Sequence, residues 1–398
     1  MALGLIWRII SLGFSEYFST DVATKNIDTV LKWNSSNSQA LFSKSLSQLS
    51  SDTNFFTSSL TESIISNVSD SRGLVLLAEH WAEQGEVAKA NKAMRLLGEM
   101  YPADAKVNIA VASYFYKNNN ITEAFQHWSQ AMTRSHHFDT ILFEFIYSQL
   151  NNRDMRAAIL DAAKQASKWW PRFFAFAIKQ SNKHDIEIVD ALYDARLDVK
   201  NSVEPAIRRQ YIRYLVKREN WQKAYMVWLS GLSLTERESL GYLYDGGFEN
   251  EFDHYGFYWH AYKNKAAKID RVRSNVGASG NKALKVTFLN KPTAFHHVRQ
   301  KTLLSAGRYL FKGKVKKDGL KSNRGVSWRI SCGRKAVLGE STRFNGMEHW
   351  QSFEVEFKVP EQNCNMQDIW LVTKAKNKSD FKIKGSLWFD DLSIVKLH

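Results

Sequence analysis

Apolar residues recur every three or four positions through the first 240 residues and every second position through the rest. Helical spacing is plain even in the serine-rich span 35–71, where Leu41, Phe42, Leu46, Leu49, Phe55, Phe56, Leu60, Ile64 and Ile65 mark one stripe, so this span reads as helices with a polar outer face. Around Gly246-Gly247-Phe248-Glu249 the chain changes character. Beyond it, short alternating runs are punctuated by Gly, Asn and Pro, which predicts strands over 257–262, 267–273, 283–289, 298–303, 308–316, 326–332, 351–359, 369–374 and 387–395. The expected fold is a helical domain over 1–240 followed by an antiparallel β-sandwich over 241–398.

Within the helical half a period of 34 residues is visible. Ala78, Trp81, Gly85, Ala90, Met94, Leu97 and Pro102 are answered by Ala112, Phe115, Asn119, Ala124, Trp128, Ala131 and His136. Small residues fall where two antiparallel helices approach, and large ones sit beside them. A third unit carries Leu142, Ile146, Ala158, Ala162 and Pro171, and another over 205–231 carries Ile212, Leu215, Glu219, Ala224 and Trp228. This pattern resembles the tetratricopeptide repeat, which implies a solenoid of helical hairpins with a groove for protein partners. Trp169-Trp170-Pro171 and Trp221 read as core aromatics. The adjacent pair His136-His137 does not read as a metal site, because neighbouring helical residues point about 100° apart.

Charge sharpens the division. The chain carries 55 Lys and Arg against 40 Asp and Glu, and 28 against 15 of these fall in 241–398, so +13 of the net +15 belongs to the β-rich half. Polyanions are drawn to such a surface before any specific contact forms. Cys332 and Cys364 both lie there; they read equally as a pair or as two lone thiols, and no spacing with His or Cys makes them a metal site. The apolar start, residues 1–14, is interrupted by Arg8 and too short to span a bilayer. It reads as a first amphipathic helix, with membrane association at the interface as the alternative.

Period two assigns the faces of the predicted strands. Val326, Trp328, Ile330 and Cys332 go to the core, and Ser327, Arg329 and Ser331 go to the other face. Ile369 and Leu371 go in, which sends Trp370 out beside Arg329. Glycan recognition uses an aromatic plate flanked by planar hydrogen-bonding groups, so Trp370, Arg329, Gln300 and His297 are the candidate ligand-binding residues, with Tyr258 and Trp259 near the opening strands. The lysine-rich 312–317 and 374–384 read as solvated faces.

The β-rich half also resembles the jelly-roll carbohydrate-binding modules of the galactose-binding-like group. The resemblance rests on Gly246-Gly247-Phe248-Glu249, Ser279-Gly280-Asn281-Lys282, Ala306-Gly307-Arg308-Tyr309, Trp350-Gln351-Ser352-Phe353 and Leu387-Trp388-Phe389-Asp390-Asp391-Leu392. It implies a jelly roll and a structural calcium between Glu249 and Asp391, with Asp390 beside them. Joined to a tetratricopeptide-like array, it resembles envelope proteins that accompany bacterial exopolysaccharide synthesis and export. That implies a non-catalytic, periplasmic or membrane-associated scaffold. Its helices would hold proteins of the export machinery and its jelly roll an acidic polysaccharide, in a setting where a Cys332–Cys364 disulfide survives.

No GxSxG elbow, GxxxxGK[ST] loop or HExxH helix is present, and no acidic pair is singled out as a glycosidase centre. Nor do aromatic and basic residues interleave as in a single-strand nucleic-acid binder. Two other readings stand beside the glycan scaffold. One is a purely protein–protein scaffold whose jelly roll no longer binds sugar, and the other a glycan lyase or hydrolase with an accessory jelly roll.

Overall fold

The structure, a computed structural model, describes residues 8, 10–12, 14–16, 26–48, 53–181, 185–197, 203–273, 279–333, 336–374 and 377–397. It forms two compact units, Met1–Asn201 and Ser202–His398. The predicted N-terminal helix over 1–14 lies mostly outside the described residues. No described helix is long and apolar enough to cross a membrane.

The first unit is a run of helices: α1 (Ile27–Trp33), α2 (Ser38–Gln48), α3 (Thr53–Ser66), α4 (Ser71–Glu83), α5 (Val87–Met100), α6 (Ala105–Lys117), α7 (Ile121–Arg134), α8 (Asp139–Ser148), α9 (Arg153–Lys164), α10 (Trp170–Gln180) and α11 (Ile186–Leu197). The starts of α4, α6 and α8 are 34 residues apart, as are those of α5 and α7. Ala78, Ala90, Ala112, Ala124 and Ala131 are fully buried, so the small positions of the repeat do mark close helix contacts. Gly85 and Asn119, one period apart, both turn the chain between paired helices in the left-handed region, at φ 85° and 60°. Glycine has no steric penalty there and asparagine a small one.

The hairpin α10–α11 is a further unit of the array that the sequence reading passed over. Pro171 closes the preceding unit but also occupies the first turn of α10, where its missing N–H costs nothing. Trp169 and Trp170 are core residues, both essentially unexposed. The Trp169 indole N–H donates to Ser129 Oγ at 2.9 Å, and Arg172 binds Asp139 at 2.7 Å while donating to the Met132 carbonyl at 2.8 Å. These bonds staple successive hairpins together.

The second unit opens with three helices, α12 (Pro205–Lys217), α13 (Trp221–Ser230) and α14 (Leu234–Glu238), and continues as the sandwich. The change from helix to strand therefore falls near residue 241, while the compact unit begins about forty residues earlier. The reason is aromatic. Trp228 of α13 is buried against Tyr244, Phe257 and Tyr258, with ring centroids 5.2–5.6 Å apart. Gly256, at φ 57°, lets the 255–258 turn sit directly on Ile212 and Trp228, where a Cβ would approach within 3.1 Å. The Tyr258 hydroxyl donates to Glu236 in the Ser233 capping box of α14.

Among the described residues ten strands make two five-stranded antiparallel sheets. One has the order β1 (His260–Ala261), β4 (Val298–Thr302), β9 (Gln367–Thr373), β6 (Val326–Cys332), β7 (Ala336–Glu340). The other runs β2 (Ala267–Arg273), β3 (Lys282–Pro292), β10 (Lys382–Leu397), β5 (Gly307–Lys321), β8 (Gly346–Val359). Strand β7 is an addition to the expected set: it is an edge strand of only five residues, too short to show a clear alternation. Between the sheets Trp328 packs edge-on against Phe389 and Phe311, and Phe344 and Phe353 close the layer. Gly246 is required where the opening segment meets β10. Its carbonyl accepts the Leu392 N–H at 3.0 Å, and a Cβ there would lie 1.6 Å from the Leu392 oxygen.

Candidate functional site

Register on the first sheet places one residue from each of three neighbouring strands in a row facing outward: Arg299 of β4, Trp370 of β9 and Arg329 of β6. Trp370 thus stands on the middle strand with a guanidinium on either side. Leu371 and Ile369, its neighbours in sequence, are fully buried, and Trp370 itself is half-buried. Arg299 lies over the Trp370 ring at 5.4 Å and over Tyr262 at 5.1 Å, and it donates to the Tyr262 hydroxyl at 2.9 Å. Arg329 leans the other way, to Glu340 of β7 at 3.4 Å. Burial would raise the Glu340 carboxyl, but bonds from Lys374 and Ser327 and the charge of Arg329 hold it below the ordinary range.

Two hollows meet at this row. One, of about 610 Å³, is lined by Tyr262, Lys263, His296, His297, Arg299 and Trp370. The other, of about 170 Å³, lies on the Arg329 side and shares Trp370 and His296. No carboxylate is among the described residues lining either hollow. His297 shares its ring nitrogens with the Asn264 amide, and burial, helped by His296, pushes its pKa down, so it is neutral at pH 7. The groove therefore offers an indole, two guanidiniums and two imidazoles. Such a set can stack on a sugar ring and hydrogen-bond or ion-pair its substituents.

Three of the residues nominated from sequence have other duties. Gln300 is fully buried, accepting the Tyr244 N–H at 3.1 Å and donating to the Tyr244 carbonyl at 2.9 Å. It shares strand parity with Val298 and Thr302, which points it to the core, and its neighbour Arg299 takes the outward place. Trp259 is 1 % exposed, its indole N–H donating to the Asp245 carbonyl at 2.9 Å, and Tyr258 belongs to the Trp228 cluster. Arg299, Tyr262 and His296 were the residues sequence reasoning missed. Arg299 was readable from its alternation with Val298; the other two come from turns whose direction only the fold shows.

Glu249, Asp390 and Asp391 gather where the opening segment meets β10, but the two carboxylates expected to hold calcium are engaged elsewhere. Glu249 accepts the backbone N–H groups of Asn281 and Lys282 at 2.7 and 2.9 Å, and Asp391 is bonded by Ser279 and, at 2.8 Å, by Lys314. Among the described residues no three His, Cys, Asp or Glu side chains form a metal-holding group. The unspent oxygen is that of Asp390, fully buried, whose Oδ2 has no partner among the described residues. Burial, with Asp391 and Glu249 adding repulsion, pushes its carboxyl up to about 7. An orphaned hard oxygen beside two acidic side chains fits a calcium ion better than Glu249 and Asp391 alone do. Cys332 and Cys364 are joined as a disulfide, with Cα atoms 5.2 Å apart.

No family model matches the sequence, and no curated protein matches it. Among solved structures the chain is similar to a CBM4 module, at 16 % identity over 39 % of this chain and 99 % of that one, with a TM-score of 0.29. It is likewise similar to TmCBM61, described in complex with β-1,4-galactotriose, at 20 % identity over 40 % of this chain and all of the other, with a TM-score of 0.29. The third likeness is to PilF of Pseudomonas aeruginosa, at 14 % identity over 56 % of this chain and 88 % of that one, with a TM-score of 0.24.

Proposed function

We propose that this protein is a non-catalytic polysaccharide-binding scaffold of an exopolysaccharide synthesis or export system. The helical array holds protein partners, and the jelly roll holds an acidic glycan. The observation that carries the reading is the outward row Arg299–Trp370–Arg329, an aromatic plate between two cations on the middle strand of a sheet. A ring of the polymer would stack on Trp370, with its carboxylate taken by Arg299 or Arg329. The disulfide and the strongly basic second unit support an extracytoplasmic setting and an anionic ligand. The half-open position of Trp370 favours this reading over a jelly roll used purely for protein contacts.

The test is affinity electrophoresis of the full chain in polygalacturonate and in neutral galactan, at low and high salt. Trp370→Ala is expected to weaken polygalacturonate binding roughly 10- to 100-fold, the usual cost of losing an aromatic anchor. Binding that disappears in salt and ignores the substitution would leave only the net charge, and the protein–protein scaffold would then lead.

Calcium belongs to the same reading, with Asp390 as its principal ligand. Millimolar calcium is expected to raise the thermal midpoint by several degrees, because a ligand that binds only the folded state stabilises it by mass action. Asp390→Asn should remove that response. An equal calcium shift in both proteins would take the ion away from this seam.

A further inference from the structure

The second sheet repeats the arrangement of the first. Its middle strand is β10, and the outward residue at its centre is Trp388, paired in register with Lys285 of β3 on one side and Lys316 of β5 on the other. The two ammonium groups lie over the indole, 4.5 and 5.4 Å from the ring centroid. Neither lysine makes a salt bridge among the described residues, unlike Lys314 and Lys317 of β5, which bind Asp391 and Glu348. Asp270 stands opposite Lys285 in register without pairing to it, and Lys268 of β2 is exposed one row away beside Thr287. The Trp388 indole N–H is buried and has no acceptor among the described residues. With strands about 4.8 Å apart, the row Lys285–Trp388–Lys316 spans roughly 10 Å, the scale of a short run of sugars.

We infer that this outer face of the second sheet is a separate binding site for an acidic polysaccharide, so that one sandwich carries an aromatic plate on each outer face and can bridge two polymer chains. The ligand class is the one proposed above; the site is different and does not depend on Trp370. Charge complementarity names the occupant. Among the described residues the two ammonium groups have no anionic partner, and the ring's quadrupole holds them over the indole. A uronate carboxylate draws them off the ring, and the sugar's apolar face takes the surface they leave. A single-stranded nucleic acid would need successive aromatics for successive bases, whereas the in-register neighbours of Trp388 on both sides are lysines.

The experiment uses the full chain with polygalacturonate as the probe, reading stoichiometry by calorimetry and cross-linking by light scattering. Wild type is expected to bind at two sites per protein and to form large scattering complexes near equivalence. Trp388→Ala, and independently the pair Lys285→Ala with Lys316→Ala, should halve the number of sites and abolish the scattering. Adding either change to Trp370→Ala should remove the remaining binding. The lysine pair is solvent-facing, so it tests the site even if the Trp388 variant folds poorly. Unchanged stoichiometry in the lysine pair, or equally tight binding of a single-stranded oligonucleotide of matched charge, would overturn the proposal. Loss confined to the Trp388 and lysine variants would sustain it while refuting the role of Trp370.

Discussion

A fragment starting at residue 241 is expected to unfold well below one starting at residue 203, although both keep every strand. The shorter fragment lacks α12, α13 and α14, and with them the indole of Trp228. Tyr244, Phe257 and Tyr258, each 5 % exposed or less, lose the surface they pack on. Burying a large apolar side chain contributes about 1.5–3 kcal/mol, so uncovering parts of three amounts to about 5 kcal/mol. For a unit of this size that lowers the midpoint by roughly 10–20 °C. Gly256 adds a backbone reason, since its left-handed turn is shaped around Ile212 and Trp228. Within the intact chain Trp228→Ala should cost about 3–5 kcal/mol, the range for emptying a large aromatic site. Calorimetric unfolding of the two fragments decides the matter. Equal midpoints would mean the helices lean on the sandwich without holding it.

That seam also shows what a linear reading can and cannot reach. The switch near residue 241 is legible because the periodicity of apolar residues changes there, and helix and strand need different periods. The division near residue 202 is not, because Trp228 fills the large slot of a helical repeat whether its partners are helices or the 244–258 segment. The hairpin α10–α11 was hidden by Pro171, which ends one unit and starts the next. Alternation along β6 and β9 places Arg329 and Trp370 outward, since each inward neighbour is large and apolar. It failed at β4, where the chemistry of the Gln300 amide was weighed above its parity with Val298 and Thr302. The match of Trp388 to Trp370 was out of reach of sequence: both stand on middle strands, and strand order is a property of the fold.

Replacing Cys332 and Cys364 by serine is expected to destabilise the second unit by about 3–4 kcal/mol, the chain-entropy estimate for a closed loop of this length. The enclosed segment contains β7 and β8, so it adds the edge strand of the first sheet, crosses to form the edge strand of the second, and returns to β9. The bond therefore pins the point at which the chain re-enters the sheet that carries Trp370. Gln367 reinforces it, accepting the Leu304 N–H at 2.8 Å and donating to the Cys364 carbonyl at 2.9 Å. Without the bond, β9 keeps its ladder, but the unfolded chain regains the freedom of the loop, and the midpoint should fall by roughly 7–15 °C. Unfolding of wild type with and without reductant, beside the double serine variant, measures this. Reduced wild type should match the variant. If reductant leaves the wild-type midpoint unchanged, the disulfide contributes nothing to the fold and gives no support to the proposed oxidising compartment.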